Sequence, residues 1–287
     1  MKKAFLLLLV LLAGTLGQAA VILHDTFSDG DRTDTNLPYE SGFWASSPAD
    51  VTTTPGNVRL DMATSSRRMH TYFAPAGSPI SLGVGQKLIA TVDIIPEVAF
   101  VASTSRNFRF GLFYNDTQYA QDSVGDSGIS NGWQDATGYA VQFGLSDTSS
   151  VAYARAGKRT NLTGGYTLLG TDAAYTWGSN GGQAANLSLN TVYTLVMSLD
   201  YQSASEMLVS FAFLQGNTEI ATASLLDNGL GGQPLYTNFD FLLFRLSSNA
   251  GTAEVVNFQS IKIEYIPEPA TLALLGLGGL LTFRRSR

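Results

Sequence analysis

Leu88-Ile89-Ala90-Thr91-Val92-Asp93-Ile94 is the run that decides the fold. Leu88, Ala90, Val92 and Ile94 fall on one side of an extended chain, while Thr91 and Asp93 fall on the other. Apolar residues at every second position mark a half-buried β-strand, because successive side chains of a strand point to opposite faces. A helix would need them three and four apart, and here they are not.

The same period recurs outward from this run. Phe108, Phe110 and Leu112 share a face, as do Tyr193, Leu195, Met197 and Leu199. Met207, Val209, Phe211 and Phe213 follow, then Phe239, Phe241 and Leu243, and last Ile261, Ile263 and Tyr265. Gly216-Asn217 reads as the turn of a hairpin spanning residues 213–220. Gly, Asn and Asp punctuate the runs, and residues 21–265 carry no helical stripe. No repeat of 20–50 residues is visible, which argues against a propeller or solenoid. About 245 residues of short strands predict one all-β domain, an antiparallel two-sheet sandwich. Its first and last strands are expected to lie near each other.

The two ends have different anatomy. Residues 1–20 carry Lys2 and Lys3, then an apolar stretch, then Gly17-Gln18-Ala19-Ala20. That is the pattern of a secretory signal peptide cut after Ala19 or Ala20. Residues 266–287 begin with Pro267-Glu268-Pro269, which neither helix nor sheet accommodates well. An uncharged run over residues 270–283 follows, and Arg284, Arg285 and Arg287 close the chain. Fourteen helical residues rise ~21 Å, short of a bilayer core of ~30 Å. On length alone this is a short transmembrane span or a buried helix. The terminal arginines favour the span and place that end in the cytoplasm, where they act as an anchor.

This tail resembles the PEP-CTERM sorting signal, with all three parts in order. The resemblance implies processing by exosortase, a membrane transpeptidase, and delivery to the cell surface or extracellular matrix, often beside exopolysaccharide. The implied route runs through the Sec translocon and signal peptidase, with transient anchoring in the inner membrane. Removal of the apolar tail would leave no transmembrane helix in the mature protein. A second resemblance rests on His24-Asp25-Thr26-Phe27-Ser28-Asp29-Gly30, Gly42-Phe43-Trp44, Phe108–Phe113 and Gly138–Phe143. Their order is similar to the concanavalin A-like lectin/glucanase jelly rolls. It implies two packed curved sheets and no particular activity.

Composition excludes more than it identifies. With no cysteine there is no disulfide, thiolate metal site or thiol nucleophile. A formal net charge of −6 argues against nucleic acid as a partner. A glucanase of this fold needs paired carboxylates, and no glutamate here has a second carboxylate at strand spacing. No Gly-x-Ser-x-Gly or phosphate-loop pattern occurs. His24 and His70 lack zinc spacing and read as structural. The expectation is a protein that is not an enzyme. A secreted polysaccharide hydrolase or lyase is the least favoured class.

Two stretches are candidates for binding. Residues 115–190 are long, polar and glycine-rich, and carry Trp133, Tyr139, Tyr153, Tyr166, Tyr175 and Trp177. Loops on a rigid sandwich commonly hold ligands. Trp133 with Asp135, and Tyr175 with Trp177, suit a sugar face and its hydroxyls, with Arg155 and Arg159 near in sequence. Equally, such rings can cap the hydrophobic core; for Tyr139 and Tyr153 that reading is preferred. The second stretch, SDGDRTDTN, holds Asp29, Asp31 and Asp34, which suit calcium. Its simpler reading is a solvated turn helped by Arg32. The resulting expectation is a surface-exported glycan-binding sandwich. The alternative is a structural or adhesive module with no small ligand.

Overall fold

The computed structural model describes residues 18–61, 66–97, 108–123, 133, 135–144, 154–162, 168–170, 172–179, 181, 187–246 and 255–268. The signal-peptide residues 1–17, Tyr153, Tyr166, Pro269, the apolar run 270–283 and the terminal arginines lie outside them.

The first strands are β1 (Ala20–Asp25), β2 (Phe43–Ala45), β3 (Val51–Thr54), β4 (Asn57–Asp61), β5 (Arg67–Tyr72) and β6 (Ile80–Ser81). Next come β7 (Lys87–Pro96), β8 (Phe108–Tyr114), β9 (Thr137–Phe143), β10 (Ala154–Arg159) and β11 (Tyr175–Trp177). The last are β12 (Tyr193–Ser203), β13 (Glu206–Gln215), β14 (Thr218–Asp227), β15 (Asn238–Phe239), β16 (Phe241–Leu246) and β17 (Val255–Ile266).

Two antiparallel sheets face each other. One runs β14-β13-β12-β7-β17-β4-β3, with β1 added on β17. The other runs β11-β10-β9-β8-β16-β5-β2. A small β15-β6 pair stands apart. The deciding run becomes β7, and its burial alternates along its whole length, with Leu88, Ala90, Val92 and Ile94 in the core. The Gly216-Asn217 turn joins β13 to β14, with Gly216 at φ +58°. β1 pairs with β17, from Ala20 opposite Tyr265 to Asp25 opposite Ile261. The first and last strands are neighbours, as expected.

The core between the sheets is aromatic. Phe143 stacks on Phe211 at 5.1 Å, and Phe244 packs on Phe258 at 4.8 Å. Among the described residues, the buried members of both core clusters fall between Leu23 and Ile263. One ion pair is taken wholly inside. Lys158 Nζ meets the Asp227 carboxylate at 2.8 Å with both side chains wholly buried. The Tyr139 hydroxyl donates to Asp227 at 2.7 Å, and the Gln233 carbonyl accepts from Lys158 at 2.8 Å. Paired and hydrogen-bonded in this way, the two charges are tolerated in the interior. Tyr139 thus fills the core rather than facing a ligand.

Two readings need correction. Phe239, Phe241 and Leu243 do not share a face. The strand breaks at Asp240, so Phe239 enters the main core while Phe241 and Leu243 enter a second cluster. In addition, β8 is buried on both faces, not one. A second apolar layer, including Phe113, Trp133, Leu168, Leu169 and Tyr175, covers the outer side of the seven-stranded sheet.

Candidate functional site: the outer face of the seven-stranded sheet

Register brings together residues that are far apart in sequence. Arg155 lies opposite Gln142, Gln142 opposite Arg109, Arg109 opposite Arg245, and Arg245 opposite Arg68. Directly paired residues of antiparallel strands project on the same side. Five adjacent strands therefore line up four guanidinium groups and one amide on the outer face. Strands stand ~4.8 Å apart, so the row is ~19 Å long. Four of the five are flanked in sequence by apolar or small neighbours on the opposite, core-directed face: Phe108 and Phe110, Phe244 and Leu246, Val141 and Phe143, Ala154 and Ala156; Arg68 lies between Arg67 and the buried Met69.

Like charges side by side repel, so the row requires oxygen acceptors. Residues 168–174 supply them. The Leu169 carbonyl accepts from Arg109 at 2.8 Å and from Arg245 at 3.1 Å, and the Gly170 carbonyl accepts from Arg245 at 3.3 Å. Asp172 accepts from Arg109 at 2.7 Å and also from Arg155. The arginine side chains are 10% and 11% exposed, whereas the Asp172 side chain is 50% exposed. Arg155 Nε also donates to Gln142 Oε1 at 2.8 Å. These arginines, Gln142 and Asp172 make further contacts besides those described.

A parallel row one step along the strands is small in the middle and aromatic at its ends. It runs Trp177, Gly157, Ala140, Gly111, Leu243, His70 and Trp44. Trp177 lies flat against Gly157, where an added Cβ would stand 2.4 Å from its ring. Its ring packs on Tyr175 at 4.9 Å, the Arg155 guanidinium lies 4.3 Å from its centroid, and its Nε1 donates to the Asp172 carbonyl at 3.2 Å. Trp177 and Trp44 are both partly exposed.

The sequence candidates divide. Arg155, Tyr175 and Trp177 come together here, with Tyr175 mostly buried as a support whose hydroxyl accepts from the Leu169 N–H at 3.2 Å. Trp133 does not join them. It is buried in the second cluster, stacked on Phe241 and edge-on to His70 at 4.8 Å, which leaves no open face for a sugar. Asp135 is exposed and apart from the row. Arg159 is buried and donates to the carbonyls of Trp133 and Ala136 at 2.7 and 2.8 Å. Sequence reading missed Arg68, Arg109, Gln142, Arg245, Asp172 and Trp44. The available signal was a polar residue set between apolar ones in four separate strands, and only strand register aligns them.

His70 and Tyr72, on the same face, are both engaged by the backbone of Tyr119. His70 Nε2 meets its carbonyl at 2.7 Å, and its N–H donates to the Tyr72 hydroxyl at 2.8 Å. Burial lowers the His70 pKa to about 4 and pushes that of Tyr72 up to about 12. His70 is thus buried and held at the Tyr119 carbonyl.

The acidic turn assembles differently from its sequence reading. Asp29, Asp34 and Glu40 gather with ligand oxygens within 4.8 Å of one another. The chain returns through an isolated bridge between Asn36 and Glu40. Asp31 is drawn out of the group, because its carboxylate accepts from the Thr33 N–H and hydroxyl at 2.6 and 2.8 Å. Arg32 does not support the turn either. It reaches Asp122 at 2.7 Å and the Phe43 carbonyl at 2.6 Å. A hydrogen bond and charge repulsion from Asp29, with some burial, raise the Glu40 pKa to about 7. Calcium–oxygen distances of ~2.3–2.6 Å put bound oxygens up to ~5 Å apart, so the trio fits that ion.

At the far end of β17, Ile266 still pairs with Lys87, and Pro267 follows at once. The Glu268 side chain lies over Gly85. Among the described residues, no helix is long and apolar enough to cross a membrane.

Comparison with known families finds one match, the PEP-CTERM protein-sorting motif, over residues 266–287. The tail is a PEP-CTERM sorting signal: the protein is exported, anchored by its C-terminus until exosortase processes it, and destined for the cell surface. Comparison with curated protein sequences gives no match. Among solved structures, the VIP36 exoplasmic/lumenal domain in its Ca2+/Man-bound form aligns with a TM-score of 0.50 at 10% identity. That alignment covers 86% of this chain and 91% of that one. Winged bean acidic lectin complexed with methyl-alpha-D-galactose gives 0.49 at 11% identity, covering 87% and 98%. An alginate lyase, Aly36B, gives 0.44 at 9% identity, covering 84% and 95%. The fold is a concanavalin A-like sandwich, and at these identities the likeness concerns fold alone.

Proposed function

We propose that the exported domain is a non-catalytic glycan-binding module of the cell surface or matrix, and that it binds on the outer face of the seven-stranded sheet. One observation carries this reading. A row of guanidinium and amide groups crosses five strands, with Arg68, Gln142 and Arg109 buried and Arg155 and Arg245 partly exposed, beside a row ended by two partly exposed tryptophans. Guanidinium and amide groups bond sugar oxygens, and indole rings offer apolar surface to sugar carbons. Calcium at Asp29, Asp34 and Glu40 belongs to the same proposal, as a brace for the N-terminal loop. The producer's own exopolysaccharide is the first ligand to try.

The test uses protein comprising residues 21–266 in affinity electrophoresis against a broad polysaccharide panel. The wild type is expected to be retarded by at least one polysaccharide. Trp177→Ala with Trp44→Ala should lose that retardation without releasing reducing ends in either form. A wild type that ignores the whole panel contradicts the reading and favours a structural module. Release of reducing ends contradicts its non-catalytic part.

A further inference from the structure

We infer that the ligand of this face is a carboxylate-bearing polysaccharide, a uronan, and that residues 168–174 occupy its place until it arrives. The inference rests on the glycan-binding reading above. It begins with what those residues do: they present oxygens to the arginines and apolar groups to the sheet. Leu169, Gly170 and Asp172 direct two carbonyls and a carboxylate at Arg109, Arg155 and Arg245. Leu168, Leu169 and Ala174 bury themselves in the apolar layer with Ala140 and Phe113. A sugar acid chain has the same two-sided character, with hydroxyl and carboxylate oxygens along its edges and C–H groups on its ring faces.

The charge arrangement favours an acid over a neutral sugar. Hydroxyl groups alone could be bonded by amides and hydroxyls, without four guanidinium groups set side by side. Guanidinium forks match carboxylates in geometry and give the stronger charge-assisted bonds. These cations are concentrated on one face of a chain whose formal net charge is −6. Bulk attraction therefore does not draw a polyanion to this protein, so retention has to come from a local site. The Asp172 carboxylate sits half in water between two largely buried arginines. The two arginines are too buried to be left without an anion, so what takes the place of Asp172 must itself carry a carboxylate or an equivalent charge. The segment is held at its C-terminal end, where the Ala174 carbonyl accepts from the N–H groups of Thr160 and Asn161 at 3.0 and 3.1 Å. That end stays fixed as a hinge while Asp172 is released.

The test compares polygalacturonate, dextran and dextran sulfate as probes, with wild type, Asp172→Asn and Arg155→Gln versions of residues 21–266. Thermal melts confirm that each variant is folded. Polygalacturonate should bind the wild type at least about tenfold more tightly than dextran, and salt should weaken that binding. Asp172→Asn removes the internal competitor and should tighten polygalacturonate binding several-fold. Arg155→Gln should weaken it about tenfold, and by a clearly larger factor than it weakens any dextran binding. Equal binding to dextran sulfate and polygalacturonate overturns the carboxylate assignment. Binding to dextran alone, lost in Trp177→Ala, overturns the uronan inference yet keeps the glycan-binding reading. No binding to any glycan overturns both. Unchanged or weakened polygalacturonate binding in Asp172→Asn overturns the role given to residues 168–174.

Discussion

Glu40 was invisible as a ligand because it lies outside the acidic stretch that drew attention, and a five-residue turn closed by Asn36 brings it back. Its position makes a pH-dependent prediction. The folded carboxyl takes up a proton at about 7, against 4.5 for the ordinary group. Between those values the folded state holds a proton that the unfolded state has lost, so this group's contribution to stability declines as pH rises toward 7. Calcium bound there would replace that proton, so its benefit should grow through the same window. At pH 8, calcium about a hundredfold above its Kd should raise the melting temperature by about 5 °C or more over an EDTA control. At pH 5.5 the gain should be smaller, and Glu40→Gln should flatten the difference. No calcium shift at pH 8 removes the ion from the proposal. Trp133 and Trp177 teach the complementary lesson at the same scale. Their sequence surroundings are alike, and only packing separates the ring stacked on Phe241 from the ring left partly in water.

Alternation along β7, β12, β13 and β17 was legible because period two is a property of a single strand. Register is a property of two strands, and one sequence does not contain the partner. That is why the arginine row was not legible although Arg109, Gln142, Arg155 and Arg245 each sit between inward-facing residues. The double burial of β8 escaped for a related reason. Its outward residues, Arg109, Gly111 and Phe113, look like an ordinary outer face until Trp133, Ala136, Leu168, Leu169 and Ala174 fold back over them. Gly157 on β10 offers the test at this scale. A methyl group there would stand 2.4 Å from the Trp177 ring and 2.8 Å from its next carbon, so the indole must lift off the sheet. Gly157→Ala should cost glycan retention comparable to Trp177→Ala while β10 remains paired, with a stability loss of about 1–3 kcal/mol in urea unfolding. Full retention in a folded Gly157→Ala protein would show that the placement of Trp177 does not matter for binding.

Across the whole molecule, the two ends and the binding face are separated by the core. β1 and β17 lie in the eight-stranded sheet, with Ala20 opposite Tyr265, so both membrane-directed segments leave from neighbouring positions. The arginine row lies on the other sheet, facing outward. While the tail is anchored, the domain is held through one sheet and its proposed ligand face belongs to the other. The sorting tail was readable residue by residue because a processing enzyme must read it from the chain itself. The binding face was not, because folding assembles it from β2, β5, β8, β9, β10, β11 and β16. The most direct measurement is hydrogen exchange by mass spectrometry on residues 21–266, with and without an oligogalacturonate. The account predicts slower exchange in β10 and β11, and faster exchange in residues 168–174 as Asp172 is displaced. Protection confined to the eight-stranded sheet or to the acidic turn, with residues 168–179 unchanged, would contradict it.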